Sequence, residues 1–421
     1  MFNPATLSSH FGGIGRALAT PRYRIYWTGQ AVMVQGFWIY KIASGWLMFD
    51  LTHSPAWLGA LGSGYLLPIL FLGPFGGAVA DRFGYRRCAI AMGSSGAAIA
   101  FLAAILAWTN LITPILLVLL TLIQGLLFAF EFPARQALYP NLVERKDMPA
   151  AIALNSTTFH SSAFTGPAIG GVLIHFGDIG AGFAANAFCM AWMVGAIFFI
   201  PSPPNLRDRL AEKKASGIAN DLRAGLKYTR NHIDIRLLIL LSVIAALLVR
   251  PYLDFLPGFA GEIFNRGKEG LAALTSAAGI GALIFASVLA FRGKTKGLTT
   301  FLVIGQSGSA LFLIAFALTD NFFVGLATLA LVGGLLVFAT TSAQSLIQHS
   351  VDDDYRARVI SINVSLVLGA PAISALIIGW LAEFIGLQWA IVWPAIVSLA
   401  IFLPVGLLLR RRRRKIEAEK V

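Results

Sequence analysis

The sequence predicts an all-α membrane protein with twelve transmembrane helices arranged as two pseudo-symmetric six-helix bundles. Three observations carry this. The 421 residues are 57% hydrophobic and only 13% charged, about half the ~25% charge usual in soluble domains. Mean hydropathy is +0.75, so too few polar side chains remain to clothe a water-soluble surface. That excludes a cytosolic enzyme, a secreted domain and a disordered chain. Second, about twelve segments reach the ~20 apolar residues that a bilayer crossing requires. Third, the cations sort almost entirely to one side of the spans.

The segments run roughly 23–51, 56–80, 88–108, 112–134, 150–176 and 180–200, then 236–260, 270–291, 298–318, 322–345, 358–384 and 387–409. Short connections make successive helices antiparallel neighbours. The exception is 201–235, which carries Arg207, Arg209, Lys213, Lys214, Arg223, Lys227 and Arg230. It reads as a cytoplasmic linker containing an amphipathic helix over about 221–231. The domains expected are a cytoplasmic N-terminal segment (1–22), an N-terminal bundle (23–200), the linker, a C-terminal bundle (236–409) and a basic tail (410–421). With both termini in the cytoplasm, roughly 29 of the 33 Lys and Arg residues lie inside, as positive-inside bias requires. The opening MFNPATLSSHFGGIGRALAT shows no apolar core or cleavage site of a signal peptide, so the first span is expected to stay.

An internal echo supports the two halves. QALYPNLVERKDMPAAIALN (Gln136 to Asn155) and QSLIQHSVDDDYRARVISIN (Gln344 to Asn363) share Gln, Val and Asn at a constant offset. Each joins the fourth span of a half to its fifth, as in parallel-repeat transporters.

Two short motifs stand out. In the turn between spans two and three, GAVADRFGYRR places Gly77, Asp81, Arg82, Gly84, Arg86 and Arg87 together. A lone acid there can receive a neighbouring helix N-terminus, and the arginines can bridge carboxylates or lipid phosphates. In span five, GPAIGG supplies Gly166, Pro167, Gly170 and Gly171. The proline removes a backbone hydrogen bond and the glycines admit a close neighbour.

The first motif resembles motif A (G-x-x-x-D-R-x-G-R-[KR]) of the major facilitator superfamily. Tyr85 stands where a basic residue is usual, so Arg86 or Arg87 would make that contact. The resemblance implies that Asp81, Arg82 and Gly84 belong to a latch on the cytoplasmic side. The second resembles the end of the antiporter motif C, without its upstream glycines, and implies export. Trp46 to Gly62, Phe132 to Val143, Asp147 to Ser156 and Tyr355 to Ser361 resemble bacterial exporters of the enterobactin-exporter and macrolide-efflux type. The drug/proton antiporter branch often carries an Arg three residues before a Gln-Gly pair; here Gln124-Gly125 is preceded by Thr121. The usual proton-coupling residue of that helix is therefore missing, which leaves both a different coupling acid and an uncoupled carrier open.

Charge at membrane depth costs ~2.5–3.5 kcal/mol per residue on insertion scales, so the survivors are candidate site residues. Lys41 shares a helical face with Gln30, Val34, Phe37 and Ser44 in span one. Arg250 and Asp254 stand at i, i+4 in span seven. A Lys41–Asp254–Arg250 network is one expectation, responsive to protons or to an anionic substrate; a structural outer gate or a snorkelling charge is the other. In span four, Glu131 and Arg135 are also i, i+4, with Gln124 one to two turns earlier. They make either a surface ion pair or a proton-carrying acid. His160 lines a cavity or is a packed neutral imidazole. Phe37, Trp38, Tyr40 and Trp46 form an aromatic wall for a flat ligand, or simply pack. Asp50 and Glu383 are expected to be solvated at outer ends.

Cys88 and Cys189 sit in apolar runs and read as small core residues. No metal or cofactor is expected, because no ligand cluster has the required spacing and no phosphate-binding G-x-x-x-x-G-K-[ST] occurs. The run Arg410 to Lys415 follows a spanning segment, so it reads as a stop signal and anionic-lipid contact, with no nucleic acid involved. The expected partners are a small-molecule substrate, protons and membrane lipids, and the chain is expected to be a monomer. The function expected is export of a small amphipathic, siderophore- or drug-like molecule from a bacterial cytoplasm across the inner membrane by alternating access and proton antiport. The alternatives are an uncoupled facilitator or uptake carrier, or a lysophospholipid-type lipid transporter. No nucleophile–base constellation is visible, so an enzyme is not expected.

Overall fold

The computed structural model describes residues 12–200, 218–292 and 296–417, and helix is the only regular structure among them. The first half of the expected linker (201–217), the chain before residue 12, residues 293–295 and the last four residues of the basic tail lie outside the described residues. In chain order the helices are α1 (Gly12–Ala19), α2 (Pro21–Thr52), α3 (Pro55–Phe83), α4 (Tyr85–Trp108), α5 (Pro114–Leu138) and α6 (Met148–Phe199). There follow α7 (Ile218–Asn231), α8 (Ile233–Ile244), α9 (Tyr252–Gly258), α10 (Gly267–Arg292), α11 (Leu298–Ala317), α12 (Phe322–Ser350), α13 (Asp353–Ile385) and α14 (Leu387–Ile416).

Among the described residues, nine helices are long and apolar enough to cross a membrane, or ten if the bent pair 223–231 and 233–263 is one span. Only 33–56% of each apolar window is buried within the protein. The remainder presents side chains such as Phe176, Phe291 and Phe323 outward, which a soluble monomer would not tolerate on this scale. Lipid is the medium that fits. α2 is absent from the nine; its 32 residues include Arg22, Arg24, Lys41 and Asp50.

α6 is long enough for two crossings and breaks at Asp178 (φ 71°), between the fifth and sixth segments expected from the sequence. With ψ at −178°, this is a positive-φ conformation that side chains rarely adopt, so Asp178 is held there by its contacts. Its carboxylate accepts hydrogen bonds from the Ala181 amide and the Trp108 indole, both at 3.1 Å, so it caps the second half of the helix.

Contacts group the chain into two units, Met1–Ser44 with Phe71–Lys214, and Gly45–Leu70 with Ala215–Val421. The boundary runs through α2 and α3, so residues 45–70 pack with the second unit.

In the first unit, α2 is zipped to the first half of α6. The Trp27 indole donates to Thr158 Oγ1 at 3.0 Å and the Gln35 amide to Thr165 Oγ1 at 2.8 Å. A methyl group at Gly166 would stand 2.6 Å from Trp38 Cβ, and one at Gly170 3.3 Å from Ile39 Cα. Gly166 and Gly170 of the motif-C-like stretch therefore admit α2 at close range. In the second unit, α12 lies against α10 and α11 at bare backbone: Gly281 faces the Ala330 carbonyl, Gly333 the Ala278 carbonyl and Gly305 the Leu335 carbonyl. Phe255, Phe259 and Phe316 are fully buried there.

Residues 45–70 join this second unit through similarly close contacts. Ser63 Oγ donates to the Ala372 carbonyl at 2.6 Å, Gly59 faces the Ala375 carbonyl, and Gly45 faces the ring of Pro257. Glu383, expected to be merely solvated, is exposed but engaged. It accepts from the Ser54 hydroxyl and, at 3.1 Å, from the Ala56 amide, which caps the start of α3.

Candidate functional site

In the motif-A turn, α3 ends and α4 begins through Gly84 at φ +92°. A side chain is rarely tolerated in that conformation, which explains the glycine. The Tyr85 hydroxyl donates to Asp81, so the residue that departs from the motif itself holds the motif's acid. Arg86 turns elsewhere: its guanidinium donates to the Ile197 carbonyl at 3.2 Å and the Phe198 carbonyl at 2.6 Å. Both carbonyls lie in the last turn of α6, where that of Ile197 also accepts from the Ile200 amide at 3.3 Å, and a cation there meets the negative end of the helix dipole. Arg82 and Arg87 are exposed, and Arg82 lies over the Phe83 ring at 5.9 Å. One turn earlier, Gly76 packs against the Ala129 carbonyl of α5. Pro133 has no amide to bond that carbonyl, so the glycine lets α3 approach it. A methyl group at Gly77, by contrast, would meet nothing within 4 Å.

The first unit also holds a buried charge cluster. Arg135 Nε donates to Glu131 Oε1 at 2.6 Å, and both side chains are almost wholly buried, at 3% and 6% exposure. The pair is therefore an interior one, and the surface ion pair entertained from the sequence is not what forms. Arg135 Nη1 donates to Gln30 Oε1, and the Tyr26 hydroxyl lies 3.4 Å from the Arg135 carbonyl. Glu131 Oε2 is buried with no hydrogen-bond partner. Beside it is a small cavity lined by Met33, Gly93, Met190, Met193 and Val194. Two sequence candidates, Gln30 and Glu131, thus meet at Arg135.

Gln124 lies apart from that cluster; its amide donates to the Gly96 carbonyl of α4 at 2.9 Å. Tyr40 shares a hydrogen bond with Thr121 at 2.7 Å and its ring meets Phe183 at 5.7 Å. Thr121, standing where an arginine was sought, therefore ties α5 to α2. Of the aromatic wall, Phe37 and Trp38 are T-shaped at 5.5 Å, and Trp38 meets Phe159 at 6.3 Å. His160 is half-buried and edge-on to Phe159. The indole nitrogen of Trp38 is buried without a partner. Trp46 packs on Phe49 in the second unit. Lys41 is half-buried in α2.

In the second unit, the spanning segment expected over roughly 236–260 is not one continuous α-helix. π-turns at 245–249 and 259–263 flank α9, and Pro251 and Pro257 are the sequence signal for them. Between the turns, Leu253 and Asp254 amides bond three residues back, to Arg250 at 3.4 Å and Pro251 at 2.9 Å. Asp254 stays within electrostatic reach of Arg250 and packs on Gly62, where a methyl group would fall 2.8 Å from its Cγ. Cys88 and Cys189 are buried free thiols, and the described residues contain no group of three or more His, Cys, Asp or Glu able to hold a metal.

Comparison with known proteins completes the picture. The chain is 24% identical to the staphyloferrin A transporter of Staphylococcus aureus (strain NCTC 8325 / PS 47), over 94% of this chain and 98% of that one. It is 22% identical to macrolide efflux protein A of Streptococcus pyogenes, over 91% and 95%. Its fold matches the nucleoside transporter NupG with a TM-score of 0.70 at 16% identity, over 92% and 98% of the chains. It matches a D-xylose-proton symporter with 0.71 at 12%, over 90% and 96%. Residues 16–421 match the family model described as transmembrane secretion effector, and the chain belongs to that family of MFS-type membrane transporters, which are not enzymes.

Proposed function

We propose that this transporter exports a small amphipathic, siderophore- or drug-like molecule from the bacterial cytoplasm by alternating access, with protons entering in exchange. The observation that carries the coupling is Glu131: a buried acid, one oxygen on Arg135 and the other unengaged. Proton binding and release there changes the charge balance of a buried cluster that ties α5 to α2 through Gln30. A change of that kind can bias a two-state equilibrium. Lys41, Arg250 and Asp254 are proposed as the charges that meet substrate or proton during the cycle. The aromatic group of Phe37, Trp38 and Phe159, with its unpartnered indole donor, suits a flat ligand carrying an acceptor. His160, edge-on to Phe159, borders that group. Twelve spans, both termini in the cytoplasm, an inner-membrane location, lipid contact at the basic tail and a monomeric state complete the reading; the distribution of cations supports the orientation.

The test is a pH-gradient assay in inside-out vesicles energised to be acid inside. Siderophores, macrolides, dyes and lysophospholipids are added in turn to wild type, Glu131→Gln and Asp254→Asn. Gradient loss with one compound class in wild type, absent in Glu131→Gln, supports antiport through Glu131. Binding of a compound with no gradient loss removes proton coupling and leaves a facilitator or lipid carrier.

A further inference from the structure

The helix α7 plays no part in the export reading, yet it has a two-faced construction. The span that follows it, 233–263, is bent from 223–231 by 109°. With that span crossing the bilayer, α7 runs close to the plane of the membrane. One face is docked: Gly225 sits on Ile362 and Arg358 of α13, and the Tyr228 ring stacks on Tyr355 at 4.5 Å. The Tyr228 hydroxyl donates to Asp352 Oδ2 at 2.9 Å. The opposite face presents Arg223, Leu226, Lys227 and Arg230, all exposed. Their spacing of three, one and three places them on one stripe. Three cations thus surround one leucine that is 55% exposed.

The tertiary structure extends this stripe. Asp234, in the first turn of α8, pairs with Arg412. That contact brings the basic end of α14, with exposed Arg410, Arg411 and Arg413, beside the start of α8 and its exposed Arg236. Two basic segments far apart in sequence meet at one level of the second unit.

We propose that the exposed face of α7 is a docking surface for anionic phospholipid headgroups, continued by Arg236 and the basic end of α14. Charge complementarity selects the occupant: the cations meet headgroup phosphates while Leu226 enters the acyl boundary, as in interfacial amphipathic helices. Through Tyr228, the same helix grips Asp352 and Tyr355 at the connection between α12 and α13, so headgroup binding stabilises that connection. The proposal rests on the membrane-embedded fold and is independent of proton coupling.

The test follows thermal unfolding of the full chain, purified in neutral detergent, on adding phosphatidylglycerol, phosphatidylcholine or inorganic phosphate. Phosphatidylglycerol should raise the midpoint, and the other two should not. Each surface cation contributes about fivefold in affinity, so R223Q/K227Q/R230Q should weaken the effect on the order of a hundredfold, and 1 M salt should suppress it in wild type. Full retention of the shift in that variant overturns the proposal. So does reproduction by inorganic phosphate, which would mean a free-anion site, or loss confined to R410Q/R411Q/R413Q. Should the triple variant fail to fold, Leu226→Cys carrying a polarity-sensitive dye serves instead. A blue shift in vesicles of phosphatidylglycerol with phosphatidylcholine, relative to phosphatidylcholine alone, supports the docking; identical emission overturns it.

Discussion

Glu131–Arg135 and Arg250–Asp254 look alike in the sequence: an acid and a base four residues apart, each with a proline between them. The structure treats them differently. α5 runs unbroken through Pro133, and its pair closes to 2.6 Å in a buried interior. Around Pro251 the backbone tightens to three-residue hydrogen bonds between two π-turns. At about three residues per turn rather than 3.6, four residues carry the chain further round the helix axis, and Asp254 packs on Gly62 while staying within electrostatic reach of Arg250. Charge order acts in the same sense, since acid before base at i, i+4 is the better arrangement. The spacing defines a shared face only where the helix keeps its winding.

The largest expected break of this contrast is Arg135→Leu. It strands the Glu131 carboxylate in the interior and should cost about 3–5 kcal/mol, read as a lowered unfolding midpoint in detergent. Glu131→Gln combined with Arg135→Leu should recover a substantial part, because no buried charge is then left alone; a double variant as unstable as the single one would refute the pairing.

Next come the glycines that seat residues 45–70. Gly59→Ala drives a methyl group into the Ala375 carbonyl and should cost roughly 1–3 kcal/mol. Gly62→Ala meets the movable Asp254 side chain instead, so its stability loss should be the smaller of the two. Equal losses would argue against that seat for Asp254.

Pro251→Ala sharpens the comparison from the other side. Restoring an amide at 251 should favour ordinary α-winding and raise the Arg250–Asp254 coupling towards ~0.3–0.5 kcal/mol in a double-mutant cycle. Unchanged coupling would assign the break to the surroundings rather than to the proline.

The smallest effect is expected at Lys146, whose ammonium lies 2.7 Å from Glu144 with both side chains largely exposed. Lys146→Gln should leave the unfolding midpoint unchanged within error, because a solvated pair gains little. A clear drop would show that exposure fails to separate this pair from Glu131–Arg135.

Much of the architecture was legible because lipid imposes a simple rule: apolar runs of bilayer length become helices. The chain alone determined the all-helical class, the approximate ends of most helices and the helix within the stretch 218–231. It also marked the motif-A turn, where Gly84 needs a backbone conformation that few other residues accept. What it could not determine were relations between residues distant along the chain. Gln30 meeting Arg135, Tyr85 taking Asp81, Glu383 capping α3 and Arg412 reaching Asp234 each depend on which helices adjoin and at what rotation. A sequence displays periodicity along one helix, whereas hydrogen-bond partners between helices are chosen by packing. The same reason explains why an apparent surface ion pair became an interior one: burial belongs to the assembled bundle, and only the tertiary structure decided it.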